Sequence, residues 1–503
     1  MSNDFSRRQF LHASAVATLG AGLGAEARAI TPNGAEELTV KPEAVKFRPE
    51  IEPVVRWIEE TPRDQILQVA VEKLKGGLSY QDLMAGLFLG GIRNIKPRPV
   101  GFKFHAVMVI HSAHLIGQTA ASDERLLPMF WALDTFKSSQ SADVREGDWT
   151  LGAVDAAKLP KAWQAKEALV RAMETWDSEA ADVATVAFCR SHGAAEVMEV
   201  FWRYAIRDQR NIGHKPIFAV QAWRTLQVIG WQNAEPVLRS LAFALLDREG
   251  KPGTDVVGPY PENLEFAEKF DEYWITGNPD NGASDNLMGD LRSPPPHAMG
   301  AYVLEYVQGG VNPDAIWDGI VKSAHEILLR QPGIIALHAV TSIHALHYIF
   351  GAAADQQTRK MAMLQAASWV ALFRDRIGDA RKLRLNELEP LDLPGKPDEA
   401  LADIFTTIGK SREEATRKTL QFLNTGGTCE AIFAAARRMI LLKGQDSHDY
   451  KFGAAAWEEA LLASTPRTRT LLTAAMMGHL PPSTAPDSPL MIRSREAVSS
   501  MLK

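Results

Sequence analysis

Cysteine is nearly absent, with only Cys189 and Cys429 in 503 residues. A disulfide-stapled scaffold and a thiolate zinc cluster both need several thiols at fixed spacing, so neither is expected. A surplus of one charge is missing too: 55 Lys and Arg stand against 61 Asp and Glu, for a formal charge of −6. Without a basic excess to neutralise phosphates, nucleic acid is not an expected partner. Past residue 30 no segment reads as long and apolar enough to cross a bilayer, so no stable membrane span is expected. No G-x-G-x-x-G follows a strand pattern, and neither a Walker loop nor H-E-x-x-H occurs. What is present is a globular composition, 46% hydrophobic and 23% charged, long enough for two to four domain-sized units.

The first 29 residues carry the most specific local signal. Ser6-Arg7-Arg8-Gln9-Phe10-Leu11 is followed by a weakly apolar stretch from Ala13 to Leu23 and then by Ala27-Arg28-Ala29. A charged start, a short apolar stretch and a small-residue cleavage motif resemble a twin-arginine signal peptide, the bacterial route for exporting folded proteins. The apolar part is much shorter than the ~20 residues a spanning helix needs. The expectation is therefore cleavage after Ala29, the twin-arginine export machinery as a partner, and a periplasmic mature protein. Export in the folded state also suits a protein that takes up a cofactor before crossing the membrane.

Beyond the signal, apolar residues recur at three and four with charges between them, as in 64–75, 164–176, 196–207 and 412–423, the pattern of amphipathic helices. Pro and Gly punctuate these stretches, and alternating strand patterns are scarce. An all-α fold is expected.

Within it a sequence recurs. His105-Ala-Val-Met-Val-Ile-His111-Ser-Ala-His114-Leu-Ile116 reappears as His338-Ala-Val-Thr-Ser-Ile-His344-Ala-Leu-His347-Tyr-Ile349, with seven of twelve positions identical and a shift of 233. Gly76 and Gly77 match Gly309 and Gly310 at the same shift; Glu196, His214, Phe218 and Trp223 match Glu430, His448, Phe452 and Trp457 at 234. An internal duplication follows, with two pseudo-symmetric halves expected to pack face to face around a central His-rich site. The layout read from this is a signal peptide (1–29), an N-terminal extension (30–59), a first helical half (60–249), an irregular linker (250–296), a second half (297–480) and a C-terminal tail (481–503).

Eight of the 13 histidines lie in the matched blocks: His105, His111, His114, His214, His338, His344, His347 and His448. The two H-x-x-H pairs put both rings within 60° on one helix face, a metal-ligand spacing for neutral imidazole. Packed histidines with backbone partners are the plain alternative. Clustering many of them in an apolar interior is costly without a shared partner, which favours a metal. With no carboxylate inside either motif, a carboxylate di-iron site is not expected. Lys451, three residues after His448, reads either as a snorkelling surface lysine or as a buried amine that can be carbamylated into an anionic metal ligand.

His105 through His111, His114 and Gly117, then His338-Ala-Val-Thr-Ser with His344, and His448-Asp-Tyr-Lys451 resemble the His-rich segments of questin oxidase-like proteins. That family is all-helical and includes oxygenases of polycyclic aromatic compounds; a member is similar to a non-haem iron dioxygenase with several histidines and a carboxylated lysine around the metal. The resemblance implies Lys451 as that lysine and some of His105, His111, His338, His344 and His448 as ligands. The family's dense early histidine cluster is not found in this sequence. The function expected is an exported metal-dependent oxidoreductase, a non-haem iron oxygenase acting on an apolar or aromatic small molecule between the repeats. The alternatives are a haem protein using one of the paired histidines as axial ligand, and a non-catalytic helical binding or structural protein.

Overall fold

Helix formation follows the periodicity closely. The stretches singled out above form helices Ile66–Lys75, Ala165–Glu174, Ala194–Ala205 and Arg412–Asn424, most ending within two or three residues of the pattern's limits. Side-chain caps fix several starts: Ser79 accepts from the Asp82 amide, Asp177 from Glu179 and Ala180, and Ser411 from Glu414. In the computed structural model, which describes residues 43–99, 102–248, 258–279, 282–378 and 381–502, every regular element is a helix, beside two isolated bridges, Ala44–Gly152 and Asn278–Val311. The protein is all-α. The export signal and its cleavage point at Ala29 lie outside the described residues.

Helix bounds recur along the chain at the shift seen in the sequence. Ile66–Lys75 becomes Met299–Gln308, Tyr80–Asn94 becomes Pro313–Arg330, and His214–Ile229 becomes Ser447–Leu462. The segment 250–296, expected to be irregular, contains helices Tyr260–Ala267 and Ala283–Asp290. They are eight residues each, too short for a 3.6-residue period to stand out among the surrounding Gly, Asn and Asp. The second run of helices thus begins near 283, the counterpart of Glu52–Glu60. The tail 481–503 carries one more helix, Pro489–Leu502, packed against Ile66–Lys75 and Leu127–Arg145.

Four helices occupy the centre. Ile334–Ala352 packs against both His214–Ile229 and Ser447–Leu462, and Ile110–Gln118 does the same from the opposite side. Each central helix thus faces two non-matching partners, and the matching ones lie diagonally. Side chains from both runs meet across this centre: Arg224 forms a two-pronged ion pair with Glu458, its own counterpart 234 residues on. Ile334–Ala352, contrary to the expectation that no further segment has spanning length and hydropathy, is apolar and long enough to cross a membrane, but 78% of it is buried inside the protein. Its buried residues pack on the neighbouring helices, while Ile334 at its start is exposed. Cys189 and Cys429 are free thiols.

Candidate metal centre

The centre is built where two helix starts meet the matched histidine helices. His214 is the first residue of its helix, entered through three consecutive left-handed residues, Asn211 (φ 55°), Ile212 (φ 50°) and Gly213 (φ 82°). A β-branched residue in that region carries backbone strain, and such strain persists where surrounding structure enforces it. Here the turn brings the Asn211 carbonyl to 2.5 Å from His214 Nδ1. The turn is itself anchored, since Asn211 donates its side-chain amide to Asp247 at 2.7 Å. At the matching position His448 is held differently. Asp446 caps the helix, and its Oδ1 accepts from the His448 amide at 2.6 Å and from His448 Nδ1 at 3.0 Å. His338, inside its helix, gives Nδ1–H to the Ile334 carbonyl at 2.7 Å.

Each of these acceptors fixes the tautomer of its ring. With Nδ1 carrying the proton, Nε2 of His214 and of His338 must present a lone pair. Those lone pairs face one another. His338 Nε2 lies 2.9 Å from His214 Nε2, which lies 3.1 Å from His105 Nε2, and one nitrogen from each of the three rings falls within 4.8 Å of the others. Two acceptors at that distance share no proton and repel, so the arrangement calls for a cation between them. Nitrogens bound at about 2.1 Å to one metal and at right angles to each other are separated by about 3.0 Å, the spacing observed. The His448 ring stands 4.6 Å from His105 and 5.2 Å from His338, and its buried Nε2 has no hydrogen-bond partner among the described residues. The donor set fits a metal ion.

Burial keeps these rings neutral and therefore ready to ligate. It pulls His214 down to about 3 and His338 well below the ordinary imidazole value, with the Lys451 charge acting in the same direction on both. His448 is lowered too, despite its Asp446 partner. Lys451 is buried, and its Nζ has no hydrogen-bond partner among the described residues. Burial brings its pKa down to about 7, so the snorkelling reading fails: the amine points into the protein. An opening of about 480 Å³ runs from the surface to His105 and His448, along Trp131 and the start of helix Pro489–Leu502.

The remaining four candidates gather elsewhere. His344 Nδ1 and His347 Nδ1 each bond one oxygen of Glu459 at 2.8 Å, and His344 Nε2 meets Glu458 at 3.0 Å. His347 also stacks on Trp317, with ring centroids 4.4 Å apart. His114 Nδ1 pairs with the Tyr80 hydroxyl at 3.0 Å, and His111 lies beside it, 5.8 Å between centroids. His344 and His347 therefore join a buried ionic network through Glu459 and Glu458, whereas His105, His214 and His338 form a triad that can hold a metal ion, with His448 and Lys451 near it. Glu458 and Glu459, with Arg224 and Asp446, bond the candidate histidines or one another, contacts that the spacing of histidines did not disclose.

Comparison with protein-family models, curated proteins and solved structures gives no match to this chain. The site therefore stands on its geometry alone: a buried triad of His105, His214 and His338 that can hold a metal ion.

Proposed function

We propose that the protein is a metal-dependent oxidoreductase with a non-haem centre, most consistent with an iron oxygenase, held by His105, His214, His338 and His448. The observation that carries this reading is the convergence of Nε2 lone pairs at 2.9 and 3.1 Å, at the inner end of an opening wide enough for a small molecule. A histidine-bound metal with exchangeable positions supplies Lewis acidity and a docking point for substrate or dioxygen. The protein's part is to hold the imidazoles in one tautomer, to keep water out with the surrounding apolar core, and to present a neutral amine. Burial lowers Lys451 to about 7, which makes its neutral amine accessible near neutral pH; that amine can attack CO₂, losing a proton and becoming a carbamate beside the ligand set. This accords with the questin oxidase-like resemblance. Export through the twin-arginine route belongs to the same proposal, because a folded, loaded metal centre must form before translocation.

Metal analysis of natively exported protein, with a visible spectrum on the same sample, tests the reading. About one iron per chain without a Soret band is the expected result. Chain free of bound metal after growth in iron-replete medium would overturn it.

A further inference from the structure

The opening to the imidazoles is not lined as a slot for a hydrocarbon ring would be. Asp134, on helix Leu127–Arg145 and 1% exposed, holds Arg63 through Nε at 3.1 Å and Nη2 at 2.7 Å. Its other oxygen lies 3.5 Å from Nη1 of Arg493, on the C-terminal helix. One carboxylate therefore faces two guanidinium groups on this wall, while the charge of Asp446 lies at the far side of the lining beside His448. The side chains of Arg63 and Arg493 are 53% and 45% exposed, so their other N–H groups stay accessible to a molecule in the opening. The second acid of the lining, Asp446, has its Oδ1 occupied by His448. Hydroxyls of Ser138, Ser139 and Ser447 complete the passage.

We propose that this opening takes a small organic acid, whose carboxylate is gripped by Arg63 and Arg493 while its body reaches past Trp131 toward His105 and His448. The inference deepens the metal-dependent reading and rests on it for the inner end of the site. Its physical basis is the cost of desolvating charge and hydroxyl against a purely apolar molecule, set against charge-assisted, two-pronged bonding to a carboxylate. Asp134 is then a positioning residue: it holds the Arg63 guanidinium by two hydrogen bonds and draws Arg493 by charge, without touching the acid. The volume of about 480 Å³ lies within the usual range of small-molecule sites.

Calorimetric titration of the full-length, metal-loaded protein with succinate, citrate and benzoate tests this, with benzamide as the neutral counterpart of benzoate. Saturable binding of at least one acid is expected, weakened about tenfold or more in the variant carrying Arg63→Gln and Arg493→Gln. Benzoate should bind more tightly than benzamide. Should the double variant fold poorly, Arg493→Gln alone, on a half-exposed position, must show the same direction. Acids that bind no better than benzamide, or equally well to the arginine variants at full metal occupancy, overturn the inference. Arginine-dependent acid binding in a protein that never holds metal would support this inference and sink the metal reading, so the two failures are distinguishable.

Discussion

Gly213 sets how close the two halves of the metal centre approach. Its φ of 82° is unfavourable for any L side chain, and a Cβ there would lie 2.6 Å from Ser342 Cβ and 3.0 Å from its Oγ. Ser342 sits one turn after His338 and bonds its carbonyl at 2.6 Å, so it is backbone-anchored and cannot swing aside. Gly213→Ala should therefore cost on the order of 2–4 kcal/mol, from the left-handed backbone and the collision together. It should also push His214 away from His338. Urea denaturation and metal titration of the same variant check both effects; unchanged metal affinity would show that the approach of Gly213 to Ser342 does not set the nitrogen spacing. His338→Ala removes one ligand without disturbing a turn. Metal affinity should fall by at least about tenfold while helical circular dichroism is kept, since a truncated core side chain lowers stability without unfolding the helix.

At the scale of helices, the Arg224–Glu458 pair and its extension through His344 and Glu459 join the central helices in the dry interior. A buried pair contributes little when intact but leaves an uncompensated charge when one partner is removed. Glu458→Gln is expected to destabilise by about 3–5 kcal/mol, and Arg224→Met combined with Glu458→Met by less than either single change, as read from chemical denaturation midpoints. The same network gives a pH signature. Burial alone would lower His344, but the hydrogen bonds and charges of Glu458 and Glu459 raise it to about 9. The folded state then holds a proton that the unfolded state gives up above about 6.5, so stability falls as pH rises from there toward 9. His344 thus contributes a loss of roughly 2–3 kcal/mol over that window, read as the difference between wild type and His344→Gln, because buried Lys451, lowered to about 7, acts in the opposite direction in both proteins. Parallel profiles of wild type and His344→Gln between those pH values would refute the charged state assigned to His344.

Helix geometry also explains which parts of the site could be read from the chain. His338 and His347 are nine residues apart, about 180° around the helix, so both cannot face one metal. The matching of blocks found every ligand candidate, since His105, His214, His338 and His448 are each identical to their counterparts. Identity matching equally hid Glu458 and Glu459, whose counterparts are Arg224 and Thr225. Their roles depend on opposite residues meeting across the centre, and no local pattern in the sequence encodes that. The left-handed turn before His214 escaped for a different reason: Asn211 and Gly213 are residue types that admit positive φ, but the β-branched Ile212 between them is not. Arg63, Asp134 and Arg493 come from three distant segments and meet only in the folded chain.

On the scale of the whole molecule, the triad that can hold a metal draws His105 and His214 from the first run of helices and His338 from the second, and the proposed fourth ligand, His448, also comes from the second. A ligand bound only when both runs are in place stabilises the entire chain by RT ln(1 + [L]/Kd), about 2.7 kcal/mol at a hundred times Kd. Spread over a protein of this size, that corresponds to a few degrees in Tm. Chelation should therefore lower the melting temperature of the wild type in one cooperative step. Refilling with ferrous iron under anaerobic conditions should restore it, whereas His338→Ala should melt at the same temperature with and without chelator. A chelator effect confined to a low-temperature shoulder would mean that only one run of helices feels the metal. The shared, four-imidazole centre would then be wrong, and metal binding would belong to the His105–His214 side alone.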